Sequence, residues 1–423
     1  VTTHRGPSST DRSEHSLDAL NFFLADVHTG LGPYLAVYLL TVRQWDEAWI
    51  GLTMSIAGIA GIVAQTPAGA LVDTLRAKRA IIAVAAFAVT LLSLALAVLQ
   101  SFWAVGAVQV AVGTCGAVFG PAVGAVSLGI VGHQHFARRN GRNEACDHAG
   151  NAFAAALAAL ASWKFGPIAV FFLMAAMALA SLASVLAIPA RAIDHRVARG
   201  LPDGDSEVDE QPSGFALLLT CRPLLIFTGC VMLFHLANAA MLPLVGQKLA
   251  LQNKQMGTAA MSVCILAAQM VMVPMAMLVA RKADAWGRKP LFLAAFLILP
   301  IRGALYTLSD DPTWLVAIQC LDGIGAGLFG ALFPLIVADL TWGTGRFNVT
   351  RGAVQSAQGI GASLSNLIAG VIVSVAGFST AFVTLAGIAA LGLVLFSIAM
   401  PETRNLSDET AERLRPALGF AIE

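Results

Sequence analysis

Asp284-Ala285-Trp286-Gly287-Arg288-Lys289 stands between two apolar runs, 257–280 and 290–308. Each run is close to the length of about 20 residues that an α-helix needs to cross the hydrocarbon of a bilayer. The hexapeptide therefore reads as a charged turn between two membrane-crossing helices. Working outward, runs of the same kind lie near 18–41, 48–72, 80–99, 102–131, 144–163 and 166–189, then near 217–247, 257–280, 290–308, 313–340, 352–376 and 378–400. Between the two groups, 191–214 carries Asp203, Asp205, Glu207, Asp209 and Glu210 with Pro and Gly, the composition of a solvated linker. The expected fold is an all-α membrane protein of twelve transmembrane helices in two pseudo-symmetric six-helix bundles. Its divisions are a tail at 1–16, a bundle at 17–190, the linker at 191–214, a second bundle at 215–400 and a tail at 401–423.

Composition agrees: of 423 residues 57% are hydrophobic and 12% charged, with a mean hydropathy of +0.75. Soluble domains carry about 25% charged residues, so a water-soluble enzyme is excluded. A net charge of +1 without a basic, aromatic-interleaved patch gives no nucleic-acid signal. Retained Lys and Arg mark the cytoplasmic side. With the N-terminus inside, 21 of the 26 fall on inner segments, only Arg43, Lys164, Lys248 and Lys254 fall outside, and Arg302 lies within a span. Both termini are thus expected in the cytoplasm. Cysteines at 115, 146, 221, 230, 264 and 320 show no CxxC spacing and read as small buried side chains. The polar start of the chain lacks the apolar core of a signal peptide. There is no Walker A motif and no metal-ligand cluster, since His133 and His135 have no third ligand. No cofactor, no metal and no catalytic residue is expected.

An internal repeat runs through the chain. Leu31-Gly32-Pro33-Tyr34 corresponds to Met241-Leu242-Pro243-Leu244, and Gly113 with Phe119-Gly120 to Gly323 with Phe329-Gly330, both at a shift of 210. Arg142 matches Arg351 at 209 and Asp73 matches Asp284 at 211. Related halves of this kind enclose a binding site at their interface in secondary transporters.

The loop Asp284-Ala285-Trp286-Gly287-Arg288-Lys289 resembles the D-R-x-G-R-K signature of the major facilitator superfamily. Gly69-Ala70-Leu71-Val72-Asp73 resembles its opening G-x-L-x-D, with Arg76 at the usual glycine position and Lys78-Arg79 one residue late. The resemblance implies that both loops help latch the cytoplasmic ends of the bundles, with Asp73, Arg76, Asp284, Arg288 and Lys289 as the latch residues; Arg142, Glu144 and Asp147 at the inner end of span 5 read as helix-end electrostatics that join this closure, with proton entry as the alternative. Asp73 and Asp284 would face the N-termini of spans 11 and 5, whose unsatisfied N–H groups favour an anion by about 0.3–1 kcal/mol. The segments 25–34 and 141–151 also look like a bacterial subgroup that includes exporters of carboxylate siderophores, and this resemblance alone favours export over uptake.

Ionisable groups inside spans are costly and need a partner or a hydrated cavity. Asp18, Asn21, Ala25, His28 and Gly32 share one face of span 1, whereas Asp26 lies about 200° from His28 on a helical wheel. The repeat sets His28 against Asn238 and Ala25 against His235. At 1.5 Å per residue His28 lies about 15 Å from the inner end of its span and His235 about 18–25 Å from that of its own, near the midplane. His28, His235, Asn238 and Asn21 are therefore the candidate substrate-binding residues. A histidine fixed by a backbone carbonyl between packed helices is the structural alternative. Asp26, Asp322 and Arg302 are the proton-coupling candidates, with Arg302 and Asp322 close enough in depth to pair. Glu144, Asp147, His148 and Asn151 form one polar stripe on span 5, expected to meet Arg138, Arg139 or Arg142.

The expected function is secondary active transport of a small, anionic solute by alternating access, coupled to protons, with export favoured. A proton-coupled uptake permease is the alternative, and a transport-incompetent sensor or scaffold on the same fold is the alternative of another class. The partners are the solute, protons and the lipid of a bacterial inner membrane, with no nucleic acid and a monomer expected.

Overall fold

The computed structural model describes residues 9–27, 35, 38–39, 42–45, 47–166, 168–201, 221–252 and 257–404. Among them all regular structure is helical and there is no strand. Eight of the described helical stretches are long and apolar enough to cross a membrane. The chain forms two compact units, Val1–Asp205 with Gly345–Ala353, and Ser206–Thr344 with Val354–Glu423.

The first unit holds α1 (Ser9–Val27), α2 (Glu47–Thr74), α3 (Lys78–Leu96), α4 (Phe102–Gly116), α5 (Phe119–Phe165) and α6 (Ala169–Ala187). α1 packs on α5 and α6, α2 on α4, and α3 on α4 and α6. Leu17, Leu20 and Leu24 recur at helical spacing on α1 and enter a core with Ile82, Val89, Val126 and Met177. The stretch expected as a polar tail is already helical from Ser9, because Ser13 is buried and the Glu14 carbonyl accepts from Arg139 at 3.2 Å. Past α6 the chain stays on the unit. Ile193, Val197 and Ala198 are buried, and Asp194 N donates to Gly129 O at 2.8 Å. Ile193, Val197 and Ala198 of the expected linker are thus packed while Arg191 and Asp194 stay exposed; the acidic stretch 203–210 lies outside the described residues. His195 there is held below the usual histidine range by burial, then by the charges of Lys78 and Arg76.

The second unit holds α7 (Arg222–Asn238), α8 (Met241–Gln252), α9 (Gly257–Trp286), α10 (Arg288–Leu305), α11 (Pro312–Thr341) and most of α12 (Phe347–Ala399), whose first turns belong to the first unit. α11 packs on α9 and α10. Phe227, Phe234, Phe292, Phe296, Phe329 and Phe396 pack ring against ring in its core, with Phe234 stacked on Phe329, Phe292 on Phe396 and Phe296 edge-on to Phe234. Outward, the units show apolar side chains: Trp103 is 81% and Val375 82% exposed, a surface suited to hydrocarbon rather than water.

Backbone landmarks recur at the same shift as the sequence. Gly132 (φ 73°) breaks α5 and Gly377 (φ 82°) breaks α12. Their partners 211 residues away, Gly343 (φ 80°) and Gly166 (φ 83°), also have left-handed φ, a region open to glycine without strain. Close helix crossings repeat too. A Cβ added at Gly150 would lie 2.0 Å from Phe22 O, and one at Gly361 would lie 2.3 Å from Met232 O. Added at Gly113 it would lie 2.2 Å from Ala57 O, and at Gly323 it would lie 2.5 Å from Ala268 O. Each unit therefore brings two helix pairs to backbone contact at equivalent positions.

Candidate functional site

In the second unit the polar groups gather where one helix is interrupted. Pro243 has no N–H to give Ala239 O, and the chain turns at 239–240 between α7 and α8. Asn238 ends α7 there. Arg302 on α10 is 1% exposed; its Nη2 donates to Asn238 Oδ1 at 2.6 Å and its Nη1 pairs with Asp322 Oδ1 on α11. Gln319 Nε2 donates to Asp322 Oδ2 at 3.3 Å, and the Tyr306 hydroxyl donates to Gln319 Oε1. Lys248 Nζ donates to Tyr306 O at 3.4 Å and pairs with Asp310. Arg302 Nε has no partner, so the guanidinium keeps one donor in reserve. His235 precedes Asn238 by three residues on α7: its Nδ1 lies 3.1 Å from Val231 O and its ring packs edge-on against Phe329, at 4.8 Å between centroids. The carbonyl-fixed state is the one seen.

In the first unit, Asp18 of α1 receives both Arg139 and Arg142 of α5. Arg139 Nε donates to Asn143 Oδ1 at 2.9 Å, Asn143 Nδ2 to Ser127 Oγ at 2.7 Å, and Asn21 Nδ2 to Asn143 Oδ1 at 3.0 Å and to Leu17 O at 2.7 Å. Asn21 thus ties α1 to α5. Asp147 accepts from Asn151 along its own helix at 3.0 Å. Two of the arginines expected beside the stripe from Glu144 to Asn151 bind Asp18.

Asp73 closes a second junction. Its Oδ1 accepts from Asn348 Nδ2 and its Oδ2 from Val349 N, both at 2.8 Å, so the carboxylate caps the first turn of α12. Asn348 also donates to Ala198 O at 3.0 Å. Arg76 is exposed, and Lys78 is buried instead, donating to Val72 O at 2.9 Å and Leu75 O at 3.0 Å at the end of α2. At the equivalent end of α9, Arg288 Nη1 donates to Ala283 O at 2.9 Å and to Asp284 Oδ1 at 2.7 Å, and its Nε to Asp339 Oδ2 at 3.1 Å. Glu402 accepts from Arg288 N at 2.8 Å and Lys289 N at 3.0 Å, Thr403 donates to Asp339, and Arg404 donates to Asp284 O at 2.8 Å.

The structure therefore brings Asn238, Arg302 and Asp322 together. His28 lies outside the described residues, as does the side chain of Asp26. Hydropathy and motif do not mark Lys78, Asp339, Glu402, Thr403, Tyr306 and Gln319 for these contacts. Lys78 had a signal in its one-residue offset from the motif; Asp339 had another in being an acid close to the end of an apolar run.

Residues 18–341 match the family model of the Major Facilitator Superfamily, and residues 230–421 match it as well. The chain belongs to the Major Facilitator Superfamily. It is an integral, multi-pass membrane protein of a transporter family, and secondary transport of a small molecule follows from that membership. Two relatives, each named "uncharacterized MFS-type transporter", come from Mycobacterium tuberculosis strains CDC 1551 / Oshkosh and ATCC 25618 / H37Rv. Each is 53% identical over 408 residues, covering 96% of this chain and 97% of the relative. Among solved structures, the human organic anion transporter MFSD10 (TETRAN) aligns with a TM-score of 0.67 at 15% identity, over 92% of this chain and 100% of that one. The proton:xylose symporter XylE aligns at 0.69 with 12% identity, over 94% and 99%. The nucleoside transporter NupG aligns at 0.61 with 14% identity, over 92% and 100%. The three are named for different solutes, and at these identities the shared property is the superfamily fold.

Proposed function

We propose that this superfamily member is a proton-coupled transporter of a small, carboxylate-bearing solute, working by alternating access with proton and solute moving together. In this reading it makes twelve crossings as six plus six, with both termini on the cytoplasmic face of a bacterial inner membrane. The positive-inside count and the left-handed breaks at Gly132 and Gly377, each dividing a helix too long for one crossing, support that topology. The observation that carries the function is the buried Arg302–Asp322 pair with Asn238 at the α7–α8 break. A buried pair is neutral while intact; a proton on Asp322 removes its charge and leaves the guanidinium and the Asn238 amide for a carboxylate. Deprotonation restores the rival and expels the cargo, which couples the two movements. His28, with Asn238, remains on the proposed solute path, Asp26 remains a proton-carrier candidate, and His235 and Asn21 contribute through their packing. Asp73 on the first turn of α12, and the Asp284–Arg288 loop, are the proposed latch, with Arg142, Glu144 and Asp147 at the inner end of α5.

The test uses the full chain in proteoliposomes, with labelled citrate as carboxylate probe and xylose as neutral control. Citrate exchange stimulated by an imposed pH gradient, with no xylose exchange, is the expected result. Asp322→Asn keeps exchange and loses the stimulation. Citrate binding without exchange, or exchange indifferent to the gradient in the unmutated chain, overturns the proposal.

A further inference from the structure

Six lysine and arginine side chains are buried among the described residues: Lys78, Arg139, Lys248, Arg288, Arg302 and Arg351. Five have acceptors. Lys78 binds carbonyls, Arg139 binds Asp18, Lys248 binds Asp310, Arg288 binds Asp339 and Arg302 binds Asp322. Arg351, 8% exposed, is the exception among them, and its Nε is buried without an acceptor. An unpaired cation in a dry site is costly unless something of opposite charge visits it.

The surroundings of Arg351 belong to the first unit. Its guanidinium lies over Gly124 of α5, where an added Cβ would sit 2.3 Å from Nη1, so the missing side chain is what gives the group room. Phe347, one turn earlier on α12, also borders Gly124. The acid whose charge reaches Arg351 is Glu144 of α5, without an ion pair between the two. On the α2 side, α12 crosses at Gly352, where an added Cβ would lie 2.2 Å from Gln65 O, and the Gln65 side chain has its Oε1 buried without a partner. The repeat explains the vacancy in chemical terms. Arg142, the counterpart of Arg351, binds Asp18, whereas 210 residues after Asp18 the chain has Thr228, which carries no charge.

We propose that Arg351 anchors an oxyanion site in the first unit that takes a carboxylate, with Glu144 as its built-in rival. The proposal rests on the anionic-solute reading for its cargo and lies on a different helix pair from the Arg302–Asp322 network. A planar carboxylate matches the fork of a guanidinium and accepts two parallel N–H bonds from it. Glu144, at a distance, keeps the empty site from being fully uncompensated without filling it.

The experiment measures thermal unfolding of the purified full chain in detergent, titrated with citrate and separately with inorganic phosphate in chloride buffer. In the unmutated chain citrate raises the unfolding temperature in a saturable way. Arg351→Gln raises the half-saturating citrate concentration by about tenfold or more, leaving only what the Arg302 site contributes, and in citrate-free buffer it unfolds no earlier than the unmutated chain because an unpaired charge has gone. Glu144→Gln lowers the half-saturating concentration, and this second variant keeps the proposal testable should Arg351→Gln fail to fold. An unchanged response in Arg351→Gln, no response in the unmutated chain, a Glu144→Gln chain that binds more weakly, or a response to phosphate but not citrate overturns the carboxylate site. Binding is read here without flux, so an unchanged response in Arg351→Gln leaves the proteoliposome exchange standing, and a failure of exchange leaves this site standing.

Discussion

At the scale of single residues, the chain treats its buried charges in two ways. Some are capped by the ends of helices and some by each other. Asp73 belongs to the first kind, receiving one amide N–H and one backbone N–H on its two oxygens. Asp73→Asn turns an acceptor towards a donor and sets two N–H groups face to face, so the outward-facing form of the transporter is expected to lose population, read as reduced periplasmic labelling of cavity cysteines. Asp284 is half exposed with Arg288 as its side-chain partner, and Asp284→Asn is expected to produce the smaller change in the same assay. Arg302 and Asp322 are the second kind. Either alone, as Arg302→Ala or Asp322→Ala, leaves a buried charge and is expected to cost about 3–5 kcal/mol in stability. The exchange Arg302→Asp with Asp322→Arg restores charge balance, and recovery of folding by fluorescence-detected size exclusion, compared with either single replacement, checks that the pair acts as a pair.

At the scale of elements, glycine decides which helices touch. The α1–α5 crossing at Gly150 leaves no room for a side chain, because the obstacle is the Phe22 carbonyl, which is fixed in its helix. Gly150→Leu is expected to overpack the crossing at a cost of about 1–3 kcal/mol or more, measured as a lower unfolding temperature, whereas Gly370→Leu, where an added Cβ meets nothing within 4 Å, stays close to the unmutated value. These crossings were legible in part. The sequence marks Gly113 and Gly323 as repeat landmarks, but which carbonyl each one meets depends on helix orientation, which hydropathy does not encode. The Arg302–Asp322 pairing could be read because two opposite charges in apolar spans at similar depth have few other options. Asn238 could be read through the repeat. Asp18 could not: its face of α1 looks like a cavity lining, and only the packing of α5 shows that two arginines occupy it. Likewise Glu402, beyond the last apolar run, looked like tail and instead caps α10.

At the scale of the whole molecule, the repeat is the organising fact, since left-handed glycines and close crossings return at a shift of 210 or 211 residues in both units. The topology proposed from it has a direct check. Reporter fusions after Gln100, Lys164 and Asp310 should fold on the periplasmic side, and fusions at Arg76, Arg196 and Arg404 on the cytoplasmic side. One reversed position would break the six-plus-six scheme. The paired crossings carry a further consequence for the tolerance of the chain to change. A saturation library scored for membrane expression should show twin minima, with bulky replacements rejected at Gly113 and Gly323 alike and again at Gly150 and Gly361, as though one ancestral constraint were being tested twice.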